Sequence, residues 1–175
     1  MEPDDKQAEA RFAPAFDGEL RIRSPILKAI HGYWQSKLDG RPMPPRDALD
    51  PLELGRLLPY VALADVEHDP LRLRWRLLGT HITRALGRDS TGRYFDEIYP
   101  GTLYEDVMTV YRRVLEHRRP VRHFGQPTFF NRAFASYESV HLPLSGDGAV
   151  IDMILVGFVF ERDLPEEKGA RHQFR

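Results

Sequence analysis

Cysteine is absent from the 175 residues, which removes disulfides, thiolate catalysis and Cys-ligated zinc or iron–sulfur centres and fits a reducing compartment. Net charge is nearly absent as well. The 25 Lys plus Arg stand against 26 Asp plus Glu, a formal −1, so no global field draws nucleic acid or an anionic membrane surface. No apolar run is long enough to cross a bilayer: the longest, Ile151 to Phe160, contains Asp152 and is about half a span. The opening MEPDDKQAEAR is acidic and polar, unlike a secretory signal. Catalytic signatures are missing too. Gly87 to Gly92 has the Gly-x-x-x-x-Gly spacing of a phosphate loop without the following Lys-Ser/Thr. None of Ser136, Ser139 and Ser145 sits in Gly-x-Ser-x-Gly, and the histidines form no His-Glu-x-x-His. The expectation is a soluble, cytoplasmic chain with one substantial core, no metal, no nucleic-acid or membrane partner, and no enzymatic activity.

The best-marked stretch is LRLRWRLLGTHITRALGRDSTGRYFDEI, residues 71–98. Leu71, Leu73, Trp75 and Leu77 alternate with Arg72, Arg74 and Arg76, which predicts a strand with one buried and one cationic face. The strand breaks at Gly79 into a short helix, with Gly87 as its C-cap. A glycine-bounded turn follows, with one helical stretch around Tyr94 to Ile98.

Residues 1–23 mix charge, proline and glycine and are expected to be a mobile lead-in. Ser24 as N-cap, Pro25 at the first helical position and an apolar stripe from Ile26 to Leu38 predict a helix over 25–39. Residues 40–50 form a proline-rich connection, and Asp50-Pro51 opens a short helix over 51–58. Strands at 60–67 and 71–78 flank the turn His68-Asp69-Pro70. Ala62 and Ala64 facing large side chains leave room for a cavity, and Asp65 lies near Arg72 or Arg74. Leu103, Val107, Val110, Tyr111 and Val114 predict a helix over 102–117.

The last third reads as strands at 121–130, 134–144 and 149–160, with a hairpin turn at Ser145-Gly146-Asp147-Gly148. A two-residue turn there places Val140, Leu142 and Leu144 on one face with Ile151, Met153 and Leu155. Tyr137, Ser139 and His141 take the other face with Asp152, Ile154, Val156 and Phe158. Both faces are largely apolar, so a cover is needed on each, and helix 25–39 or its copy from a second subunit supplies one. The fold class is α+β: a five-stranded antiparallel sheet with helices inserted between the second and third strands. The domain covers 24–162, and 163–175 is a loose charged tail.

This layout resembles a PAS domain, and in particular small stand-alone bacterial PAS-domain proteins. The resemblance runs from about Leu27 to Arg162 and rests on words in order: YW at Tyr33 and Trp34, GRPMPPRDALDP at 40–51, LLP at 57–59, RLRWRLLGTHI at 72–82, GRDSTGRYFDEI at 87–98, and YESVHLPLSGDG with IDMILVG at 137–157. It implies a sensory or regulatory fold that encloses a small molecule between sheet and inserted helices and dimerises through its N-terminal helix. Candidate pocket aromatics are Trp75, Tyr94, Phe129 and Tyr137, joined by Arg76, Thr80 and His81 at the strand break and by His141. His141 and Asp152 are candidates for a polar pair on neighbouring strands. Ile26, Ile30, Trp34 and Leu38 are the candidate homodimer contacts. The ligand stays open, a small organic molecule being favoured over haem, for which His81 or His123 would be the positions, and over a covalently held flavin, which needs a cysteine. With no kinase, cyclase or DNA-binding motif in the sequence, signalling is expected to pass by contact with a partner protein. A ligand-free interaction domain is the alternative, and an acid/base enzyme using His141, Asp152 or His81 ranks behind both.

Overall fold

A computed structural model describes residues 15–125 and 136–160. Ser24 caps the first helix, α1 (Pro25–Ser36), by accepting from Leu27 N at 3.3 Å, and Pro25 occupies its first turn, where a missing N–H costs nothing. Leu27, Ile30 and Trp34 line its buried side. The helix ends at Ser36, short of the expected 39. Asp50 caps α2 (Pro51–Leu54) through Leu52 N at 2.8 Å. The expected helix over 51–58 is cut at Gly55, where φ is +44°, and continues as a 3-10 helix, Gly55–Tyr60.

Six strands form one antiparallel sheet: β1 (Ala15–Asp17), β2 (Val61–His68), β3 (Leu71–Leu78), β4 (Val121–Gly125), β5 (Tyr137–Leu144) and β6 (Met153–Phe160), in the order β1-β4-β5-β6-β2-β3. The sixth strand corrects the five-strand expectation. β1 lies in the stretch expected to be a mobile lead-in, where Phe16 pairs with His123 of β4. Ile22 and Ser24 beyond it are buried. Between β3 and β4 come α3 (Thr80–Leu86), α4 (Phe95–Ile98) and α5 (Thr102–His117).

The Leu/Arg alternation of β3 does not run to its end. Ala64 pairs with Trp75 but Leu63 with Leu77, so Arg76 is bulged out and the faces exchange after it. Leu73, Trp75 and Leu78 join one core, while Leu77 packs in the other. The register of β5 on β6 also differs from the expected tight hairpin. Leu144 pairs with Met153 and residues 145–152 form the loop, which opposes His141 to Val156 rather than to Asp152. The step is even, so the faces of β5 and β6 are kept.

The sheet is thereby covered on both sides by its own chain. α1 packs on the face carrying Leu63, Val140, Leu142, Leu144, Met153 and Leu155. It approaches closely because residue 157 is glycine, at which a Cβ would meet Leu27 Cδ2 at 2.9 Å and Ile30 Cδ1 at 3.0 Å. α3, α4 and α5 cover the face carrying Ala62, Ala64, Leu73, Trp75, Ile154 and Val156. Ile151, expected beside Met153, belongs to this second core.

Candidate functional site

β5 is buried along its whole length, although its sequence holds Tyr137, Glu138, Ser139 and His141. A polar side chain in such a strand needs a partner, because burying it unpaired costs about 1–3 kcal/mol. Alternation sends these residues to opposite faces.

On the α1 face, Glu138 accepts the backbone N–H of Arg23 at 2.8 Å and of Ser24 at 2.9 Å, and pairs with Arg122 Nε at 2.5 Å. Arg122 Nη1 reaches Asp17 of β1 at 3.4 Å. The buried acid thus fixes the chain's entry into α1. The far end of α1 is held by Trp34 Nε1, which donates to Pro143 O at 2.9 Å.

On the opposite face, Tyr137 and His141 line a cavity of about 70 Å³ between the sheet and the helices. The sheet adds Ala62, Trp75, His123, Val156 and Phe158, α3 adds Ile82 and Leu86, Tyr99 follows α4, and α5 adds Asp106, Val107, Val110 and Tyr111. A run of rings frames it: Trp75–Phe95 at 4.6 Å between centroids, Phe95–Tyr111 at 5.0 Å, Tyr111–His141 at 5.0 Å and Tyr137–Phe158 at 5.1 Å. Trp75 Nε1 donates to Tyr99 Oη at 3.3 Å, Tyr137 Oη lies 3.1 Å from His123 Nδ1, and Ser139 Oγ lies 3.1 Å from His141 Nε2. His141 Nδ1 is buried and makes no hydrogen bond among the described residues.

Desolvation holds these groups neutral. It lowers His123 to about 4, and it pushes His141 well below the ordinary histidine value, with the nearby His123 adding to the effect. Burial raises Tyr99 to about 12 and moves Tyr111 and Tyr137 upward as well. The cavity can accept or donate hydrogen bonds without presenting an ionised imidazole or phenolate. Asp106 is the carboxylate of the lining.

A family profile described as PAS domain matches residues 22–157. The chain belongs to the PAS domain family. No curated protein matches it. The matched span includes the whole cavity lining except Phe158, and it leaves out β1.

Of the residues singled out from sequence, this PAS domain brings Trp75, Tyr137 and His141 together at the cavity. Four others lie elsewhere. Arg76 is exposed on the bulge, its Nε 2.6 Å from Asp65 Oδ1, while Arg74 Nη2 holds Asp65 Oδ2 at 3.0 Å. Tyr94 sits under the Arg72 guanidinium at 3.7 Å and donates to Glu67 at 2.8 Å. Thr80 and His81 face a separate cleft with Arg56 and Arg84, and His81 packs on Tyr60 at 4.4 Å. Phe129 lies outside the described residues. His141 and Asp152 do not meet: Asp152 precedes β6 and accepts from Gly146 N at 2.9 Å. Of the four dimer candidates, Ile30 and Trp34 are buried against the chain's own sheet, and Ile26 and Leu38 are half-buried. Two considered haem positions separate likewise, His81 outside the cavity and His123 in its wall.

The sequence reading missed Tyr99 and Asp106 as lining residues and named His123 only as a haem position. Asp106 carried a usable signal. It follows the apolar stripe of α5 at Leu103, Val107 and Val110, so it sits at the edge of the buried face rather than on the solvent side.

Proposed function

We propose that this PAS domain is a sensory and regulatory module. A small organic molecule binds in the cavity between the sheet and α3–α5, and the change passes by contact to a partner protein. The observation that carries the reading is the unpartnered His141 Nδ1 on a ring that lines the cavity. A buried polar atom without a partner is uncommon and marks a place where a further group completes the structure.

Size decides how binding would be felt. A cavity of about 70 Å³ is about half the roughly 150 Å³ that admits benzene. A ring-sized ligand therefore enters only if α5 or α3 shifts, and that shift is the differential contact a signal needs. The path outward is β5, whose Tyr137 and His141 line the cavity while Glu138 between Tyr137 and Ser139 holds the entry to α1. The domain acts as a homodimer through the outer side of α1, where Ile26 and Leu38 retain accessible surface. Leu27, Ile30 and Trp34 stay on their own sheet, since exposing each costs about 1.5–3 kcal/mol.

The small cavity volume favours one other reading, a ligand-free interaction domain. Native mass spectrometry of protein purified from its own source, compared with the same sample denatured, separates the two. A reproducible added mass on a dimer, lost on denaturation, supports the sensor. A dimer with no added mass after gentle purification supports the interaction domain, and a monomer overturns the dimer.

A further inference from the structure

We infer that the cavity's ligand is a neutral, largely apolar molecule that donates a hydrogen bond, from a hydroxyl or an N–H group, to Nδ1 of His141. The inference rests on the ligand-binding reading and adds the chemistry of what is bound.

The argument starts at Ser139, whose hydroxyl has one proton and two contacts. Its Oγ lies 3.3 Å from the His123 carbonyl oxygen, which can only accept, and 3.1 Å from His141 Nε2. Both bonds form together in one arrangement alone. The hydroxyl donates to the carbonyl, and its oxygen accepts from His141 Nε2–H. His141 is then the Nε2–H tautomer, and Nδ1 carries a lone pair. The reverse arrangement, with the hydroxyl donating to Nε2, abandons the carbonyl and leaves an N–H at Nδ1 buried without an acceptor, the rarer kind of orphan.

Protonation does not rescue Nδ1. Burial of the ring, with His123 nearby, holds His141 neutral. Among the described residues nothing meets the lone pair, so a bound molecule meets it by donating. The remaining wall sets the other requirements. Ala62, Trp75, Ile82, Val110 and Val156 are buried and apolar, while Asp106, the carboxylate of the lining, keeps part of its surface in water, so an ionised group seated against His141 would lose its hydration without replacement. The Tyr111 ring stands edge-on to His141 at 5.0 Å and a flat molecule bound beside it meets an aromatic face or edge.

The test uses full-length protein labelled with 15N-histidine, with phenol and toluene as isosteric probes that differ in the donor, and ethanol as a smaller donor. In the free protein the His141 resonances are expected to show Nε2 protonated and Nδ1 bare; a protonated Nδ1 overturns the inference before any ligand is added. Phenol is expected to move the His141 Nδ1 resonance, and toluene to leave it in place. In His141→Leu the phenol-to-toluene affinity ratio is expected to fall by about fivefold or more, the worth of one neutral hydrogen bond. An unchanged ratio, with both probes still shifting cavity resonances, overturns the donor inference and leaves ligand binding standing. No response of any cavity resonance to phenol, toluene or ethanol overturns the ligand-binding reading, and this inference with it. The tautomer measurement needs no variant, so a His141→Leu protein that fails to fold does not block the test.

Discussion

Replacing Gly79 by alanine should be among the most damaging single-methyl changes in the chain. Its backbone, φ −65° and ψ 155°, is open to any residue, so the restriction is one of space. A Cβ there would stand 2.3 Å from Pro59 O and 2.5 Å from Leu58 O, where ordinary contact begins near 3.4 Å. The opposing atoms are backbone and cannot rotate away. The β3–α3 junction and the 3-10 helix Gly55–Tyr60 must therefore part by about 1 Å, which strains the Gly79 N–H bond to Val61 O, now 2.8 Å. Overpacking typically costs 1–3 kcal/mol, and a rigid opponent puts this case at about 3 kcal/mol or more. Urea unfolding followed by Trp34 and Trp75 fluorescence measures it. With a slope of about 2 kcal/mol/M the midpoint should fall by about 1.5 M. Gly32→Ala is the control, an exposed α1 position with nothing within 4 Å of its Cβ, and it should gain about 0.5–1 kcal/mol. A Gly79→Ala loss below about 0.5 M at unchanged slope would refute the close-approach argument.

Glu138→Ala removes the nearer of the two carboxylates on buried Arg122, leaving Asp17, together with the acceptor of the Arg23 and Ser24 amides, and should cost about 3–5 kcal/mol in urea unfolding. Trp34→Phe leaves Pro143 O without its 2.9 Å donor and should cost about 1–3 kcal/mol by circular dichroism melts in urea. Acid should destabilise the fold through His123: held at about 4 when folded against 6.5 unfolded, it leaves the unfolded chain binding more protons between those values. Its contribution is complete above pH 6.5 and declines by about 3 kcal/mol as the pH falls to 4. His141, lowered in the same direction, adds to the slope. Unfolding free energies measured from pH 7.5 down to 4.5 check this, and a His123→Phe variant should show a shallower decline.

The parts of the fold legible in sequence are those governed by local chemistry. Ser24 and Pro25 announce the start of α1, and the spacing from Leu103 to Val114 locates α5 at 102–117. The alternation in β5 and β6 gives the right faces even though the turn is longer than expected, because an even register step preserves them. The hidden features depend on distant partners. β1 is three residues in a polar stretch and exists through its pairing with β4 and the Asp17–Arg122 contact. The bulge at Arg76 leaves the Leu/Arg pattern intact and shows only in the pairing with the neighbouring strand, where Asp65 meets both Arg74 and Arg76. At the site, Trp75, Tyr137 and His141 were visible as polar or aromatic residues inside apolar strands. Arg76, Thr80 and Tyr94 carried the same kind of chemistry, but Arg76 and Tyr94 are held by Asp65 and Glu67 of β2, and Thr80 opens α3 beside a separate cleft.

The buried polar groups divide between the two faces of β5 by kind. On the cavity side are neutral groups, Tyr137 and His141 in the lining and Ser139 bonded to His141, which can gain or lose a partner at about the worth of one hydrogen bond. Facing α1 is a charge, Glu138, which cannot lose Arg122 or the two amides without several kcal/mol of cost. The softer set can respond to a ligand, and the harder set moves as a block with α1. β5 is hydrogen-bonded on both sides, to β4 and β6, so it transmits a shift as a strand and not as one side chain. The consequence is an ordering of energies: a ligand worth a few kcal/mol can displace α5 or tilt β5 carrying α1 along, but it cannot release α1 from Glu138. Any dimer built on α1 must therefore keep that helix docked and read its position rather than its detachment.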